Sequence, residues 1–294
     1  MLDQESMLRE KVADLERQGR YYDMVQPLEE LVSLLSYRCS GGGCSTARET
    51  PEYAAALDQL GGLHRNLGNL DRAHDIYQQA VMTSATVFGT DDPNYATTLN
   101  NYAGLLRLRQ DFDGADDAYQ RAEKVYNATI GPTHVLTISC LNNRGLLRQD
   151  QGRFDEALEL HHEALRRLRS VPGNEVAEAT TLNNIASVHA KMKDYAQARQ
   201  YMEEASEIYE RTVGKQSDLY VGQLHNLASI QALSGDYEGA LERLEWVAQR
   251  SQEMFGPRSD NTRAALRNLA AVYDHLGQTE KAQAARAQAD RGLH

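Results

Sequence analysis

Catalysis and metal binding need nucleophiles, acids, bases or ligands at workable spacings. His161 and His162 are adjacent. On a helix, neighbours diverge by about 100°, so this pair cannot clamp one metal as an i, i+4 pair does. Cys39-Ser-Gly-Gly-Gly-Cys44 offers two thiols, enough to close a small disulfide or supply half a zinc site. No second pair of ligands follows at zinc spacing. Cys140 lies in an apolar helical pattern and reads as a small packing residue. Asp111-Phe-Asp113-Gly114 begins like a calcium loop but lacks the later ligands. HExxH, GxSxG and glycine-rich phosphate loops are absent from the sequence. The expectation is a protein that is not an enzyme, with no metal site and no cofactor.

One residue type does recur at a spacing with chemical meaning. An amide returns as Gln59, Asn101, Asn143, Asn184, Asn226 and Asn268, at intervals of 42, 42, 41, 42 and 42 residues. A carboxamide both donates and accepts, which matches the N–H and C=O groups of any extended peptide. Small or short neighbours, as in Thr97-Asn101-Gly104 and Thr180-Asn184-Ser187, leave room for a ligand chain. The adjacent position holds Asp58, Asn100, Asn142, Asn183, His225 and Arg267. With Arg65, Arg107 and Lys191, these side chains would set a preference among ligands. An amide ladder can equally tie each helix to its neighbour, and the two roles are compatible.

The same period runs through the apolar residues. Ala73, Ala115, Ala157, Ala198, Ala240 and Ala282 follow a turn; Leu57, Leu99, Leu141, Leu182, Leu224 and Leu266 keep a second register; Gly89, Gly131, Gly173, Gly214 and Gly256 keep a third. A fixed period of this length marks a solenoid, in which each unit buries its apolar face only by stacking on its neighbours. Every repeat reads helix A, short turn, helix B. In the second, helix A starts near Asp92–Pro93, with Asp91 or Asp92 as its cap and Pro93 in the first turn. The turn is Gln110-Asp111-Phe112, and helix B ends near Gly131. Small residues recur in helix A (Gly61, Ala103, Gly145, Ala186, Ala228, Ala270) and in helix B (Ala80, Ala122, Ala164, Ala205, Ala289, with Val247 the exception), where helices must approach closely. Arg144 and Arg148 interrupt the apolar stripe of the third repeat and read as snorkelling side chains. Trp246 reads as packing between helices.

Residues 1–48 form a degenerate first pair. Its turn is Gln18-Gly19-Arg20-Tyr21, Val25 stands for Ala73, and the excess length falls in the Cys39–Cys44 loop. Residues 49–294 form six repeats, the last, with a polar alanine-rich helix over 279–291, acting as a cap.

Ala96-Thr-Thr-Leu-Asn-Asn101, Leu141-Asn-Asn143, Ala179-Thr-Thr-Leu-Asn-Asn184, Gly152-Arg-Phe-Asp-Glu-Ala157 and Gly89-Thr-Asp-Asp-Pro93 carry a family likeness. Over residues 50–290 the chain resembles tetratricopeptide-repeat proteins, in the 42-residue form of the kinesin light chains. The ordinary repeat has about 34 residues, so helix B and its following loop are longer here. The long heptad coiled coil that precedes the repeats of kinesin light chains is missing from this sequence, so the resemblance implies a light-chain-like repeat protein rather than a motor subunit. It implies an all-α, right-handed superhelical solenoid of about seven antiparallel helix pairs. It also implies that the recurring asparagines contact the backbone of a peptide held in the concave groove.

Composition is compatible with this. The 294 residues are 41% hydrophobic, contain six prolines and carry a net charge of −11. An acidic chain has no electrostatic attraction for a phosphate backbone, which argues against nucleic acid as partner. No apolar run approaches membrane-span length, and the polar N-terminus does not read as a signal peptide, so a cytoplasmic location is expected. The functional expectation is an adaptor or scaffold that binds a protein or peptide ligand. A peptide-responsive regulatory sensor and a homo-oligomeric scaffold are the alternatives, and the sequence leaves oligomeric state open.

Overall fold

The computed structural model describes residues 2–36, 50–257 and 259–290, and among them every regular element is an α-helix. Along the chain run α1 (Leu2–Arg17), α2 (Tyr21–Ser36), α3 (Pro51–Asn66), α4 (Leu70–Phe88), α5 (Pro93–Leu108), α6 (Phe112–Thr129) and α7 (Val135–Asp150). There follow α8 (Phe154–Arg169), α9 (Glu175–Lys191), α10 (Tyr195–Thr212), α11 (Asp218–Leu233), α12 (Tyr237–Phe255), α13 (Asp260–His275) and α14 (Thr279–Asp290). These are the seven helix pairs that the period predicts. They fall into two compact units, Met1–Gln151 with α1–α7 and Gly152–His294 with α8–α14.

The helix boundaries follow from local chemistry. Asp92 caps α5 by accepting from the Asn94 N–H at 2.7 Å, ahead of Pro93. Thr50, Ser217 and Ser259 cap α3, α11 and α13 in the same way. At the A-to-B turn the chain reverses through one left-handed residue, and the next N–H bonds back five residues, as Asn69 N does to His64 O at 2.9 Å. Glycine occupies the left-handed place at Gly68 (φ 78°) and Gly235 (φ 88°), but Gln110 (φ 64°) and Lys193 (φ 63°) hold it without that freedom.

Each pair packs through its small residues. A Cβ at Gly61 would stand 3.0 Å from the Tyr77 ring, so a side chain here would have to push the ring by a few tenths of an ångström. Ala80, Ala103, Ala122, Ala164, Ala186, Ala205 and Ala228 are fully buried at the matching places. In the first unit, Leu8, Val12, Leu28, Leu31, Leu57 and Tyr77 share one core with neighbours from α1–α4. In the second, Ala240, Leu244, Val247, Leu266 and Val272 build the core of α11–α14.

The first pair departs from its expected register. Met24, 3% exposed, takes the core place equivalent to Ala73, while Val25 is only partly buried beside it. Both Met24 and Ala73 are the fourth residue of their helix, so the true spacing is 49 rather than 48 residues. Cys39, Cys44 and their loop lie outside the described residues. Arg144 and Arg148 do not snorkel to water. Arg148 donates to both Asp116 oxygens at 2.8 Å, and Arg144 pairs with Glu123, so both are ion-paired to α6.

The two non-glycine turns yield a prediction. Gln110→Gly and Lys193→Gly should each raise stability by about 0.5–1 kcal/mol, because release of left-handed strain outweighs the added freedom of the unfolded chain. Gly68→Ala should lower it. Urea unfolding followed by circular dichroism reads all three.

Candidate peptide-binding faces

The A helices α3, α5 and α7 pack side by side in the first unit, and α11 and α13 do so in the second. This brings the recurring amides into register with the adjacent position of the preceding repeat. Asn101 Nδ2 donates to Asp58 Oδ2 at 2.8 Å, and Asn143 Nδ2 donates to Asn100 Oδ1 at 3.1 Å. In the second unit Asn268 Nδ2 lies 2.7 Å from His225 Nε2 and 3.2 Å from Ser229 Oγ. All three amides reach back 43 residues to the same place. Burial holds the His225 pKa below its ordinary value, so its neutral ring can accept there.

The ties of Asn101 and Asn143 use one N–H of a carboxamide that has two N–H groups and an acceptor oxygen, and Asn268 keeps its oxygen as an acceptor. Asn101, Asn143, Asn184 and Asn268 are half-buried, whereas Gln59 and Asn226 are exposed. Asn100, Asn142, Asn183 and His225 are half-buried as well, while Arg267 and Lys191 are exposed. Arg107 pairs with Asp150 across α5 and α7. Arg65 Nη1 lies 3.3 Å from where a Gly104 Cβ would stand, so the missing side chain makes space for the guanidinium.

Two cavities open beside the rungs. One of about 210 Å³ in the first unit is lined by Gln59, Asp58, Asn101, Arg65 and Tyr77. One of about 330 Å³ in the second is lined by Asn183, Asn226, His225 and Phe255. Asp58 is the unusual member. Its Oδ1 is buried without a hydrogen-bond partner among the described residues, and burial pushes its pKa up to about 6 against the partial relief from Asn101 and Arg65.

A second recurring contact escaped the sequence reading. Tyr126 OH lies 2.8 Å from Thr97 Oγ1, and Tyr209 OH lies 3.0 Å from Thr180 Oγ1. Each tyrosine comes from the long helix B and reaches the helix-A face that carries the amide. The signal was the spacing of 83 residues, which separates the two threonines and the two tyrosines alike. Other candidates resolve as packing. Cys140 is fully buried, its thiol pushed up to about 12 by burial, and His161 is buried and held down to about 4. Trp246 packs edge-on to Tyr220 at 6.0 Å. No group of three or more potential metal ligands occurs among the described residues, and no described helix is long and apolar enough to cross a membrane.

The tetratricopeptide repeat family model matches overlapping windows at residues 52–128, 94–170, 136–211, 177–249 and 220–289. The chain belongs to the tetratricopeptide-repeat family. Among solved structures, it resembles BtubC (BKLC) from P. vanneervenii, with a TM-score of 0.63, 22% identity, and 78% of this chain and 90% of that one covered. It also resembles a putative kinesin light chain of Podosopora anserina with nearly identical repeats (TM-score 0.60, 17% identity, 69% and 96% covered). A signal-transduction ATPase with a tetratricopeptide-repeat sensor, from Pyrococcus horikoshii, covers 97% of this chain at a TM-score of 0.67 and 14% identity, with 41% of its own length matched. At these identities the likeness concerns the fold of a tetratricopeptide-repeat protein, and the likeness to kinesin light chains is distant and partial. No curated protein matches the chain significantly.

Asp58 gives this tetratricopeptide-repeat protein a pH signature. A carboxyl whose folded-state pKa lies above its unfolded value of 3.8 stabilises the fold least when ionised, so its contribution declines as pH rises from about 4 to about 6. Asp58→Asn should copy the Asn100–Asn143 rung, raise stability at pH 7.5 by about 1–2 kcal/mol and flatten that decline. Thermal unfolding between pH 4 and pH 8 checks it.

Proposed function

We propose that this chain is a non-catalytic adaptor or scaffold that captures an extended segment or a helix of a partner protein on its helix-A faces. The amides of Gln59, Asn101, Asn143, Asn184, Asn226 and Asn268 read the ligand backbone. Asn100, Asn142, Asn183, His225, Arg65, Arg107 and Lys191 set preference among side chains. The observation that carries this reading is the rung geometry found in both units. Each tied asparagine is oriented by hydrogen bonding to the preceding repeat, which spares it part of the ordering cost of binding. Beside the rungs, the two cavities offer places for ligand side chains. A tetratricopeptide-repeat fold is suited to such binding through its groove, and the several related architectures are in keeping with it.

The test uses amides whose loss leaves Asp58 with its Asn101 partner. Affinity capture from the native lysate compares wild type with Gln59→Ala/Asn143→Ala and with Asn184→Ala/Asn226→Ala, each checked for helicity by circular dichroism. Losing two backbone contacts should reduce retained partner about tenfold. Full retention by both folded variants would overturn the reading and leave the amides as ties between helices.

A further inference from the structure

A second cavity of the second unit lies away from the amide face. It is a cleft of about 770 Å³ between α10 and α12, floored by α11, and none of Asn184, Asn226 or Asn268 lines it. Its volume falls within the range of ordinary ligand sites. Five carboxylates stand around it: Glu203, Glu207 and Glu210 on one wall, Glu242 and Glu245 on the other. Between them Trp246 and Tyr220 meet edge to face, with Leu224 and Leu227 beside them.

Two basic groups, Lys215 and Arg243, stand against the five carboxylates, so the cleft keeps a net negative charge. Lys215 is taken up by Glu210 at 3.0 Å. Arg243 donates to Gln231 Oε1 at 3.0 Å and to the Gly239 carbonyl. Glu203 is held by Arg199, and Glu245 accepts from the Tyr273 hydroxyl. Glu207 and Glu242 are exposed and have no ion-pair partner among the described residues. On the same lining, the Ser206 hydroxyl oxygen is buried and lacks a hydrogen-bond partner among the described residues. The cleft thus combines an aromatic wall, two unpaired carboxylates facing across it and an unused polar group.

We propose that this cleft binds an arginine- or lysine-bearing segment of a partner protein. A guanidinium or ammonium group is attracted to the face of an indole and to carboxylates, and an aliphatic stem packs on apolar walls. An anionic segment would meet like charge, and a purely apolar one would leave Glu207 and Glu242 unpaired. The site is separate from the amide faces, so it stands whether or not those bind a ligand.

Trp246 is the sole tryptophan of the chain, so intrinsic emission reports on this cleft directly. The probe is acetyl-tetraarginine amide at low ionic strength, with tetralysine and tetraglutamate peptides as the other arms. The expected result is a saturable change with the cationic peptides and none with tetraglutamate. Glu207→Gln/Glu242→Gln should weaken the arginine peptide about fivefold. Asp75→Asn/Asp113→Asn, which removes the same charge elsewhere, should change it less than about twofold. Absence of a saturable response, an equal response to tetraglutamate, or equal weakening in both double variants would overturn the proposal. Circular dichroism verifies that all variants stay folded.

Discussion

Close approach of two helices at a small residue is the constraint on which everything else rests. Gly61 leaves 3.0 Å between the Tyr77 ring and the place a Cβ would take, and alanine fills the matching crossings with no exposed surface. A thin layer of this kind buries little by itself. Its apolar residues are covered only when neighbouring pairs stack, so stability is shared between repeats rather than owned by any one of them.

Stacking then decides what happens to the polar groups. An asparagine on helix A faces the preceding helix A as well as open space, and in both units it hydrogen-bonds backwards by 43 residues. Tyr126 and Tyr209 reach the same face from helix B. Arg144 and Arg148 bind α6 through Glu123 and Asp116. Polar groups in the stack therefore do the registering, while small apolar groups do the packing.

Most of the architecture was legible in the sequence because a repeat tests each inference several times. Helix starts at Asp92–Pro93, the left-handed turn residues and the alanine crossings all lie where the 42-residue period puts them. Positions with only one copy are not legible in this way. The degenerate first pair gave no second register to check Val25 against, and Met24 holds the core place instead. Partners across helices were also hidden. Nothing in the sequence says that Arg148 will find Asp116, 32 residues earlier, or that Asp58 will lose water on one oxygen. The cleft of α10 and α12 was invisible for the same reason, since its glutamates are ordinary surface residues until two B helices face each other.

The rungs of the first unit are not chemically equal. Between α3 and α5 the acceptor is a carboxylate, while between α5 and α7 it is a neutral amide. Near pH 7 one end of this short row is anionic and the other is not. The row therefore has a polarity, and a chain laid along it differs from the same chain reversed.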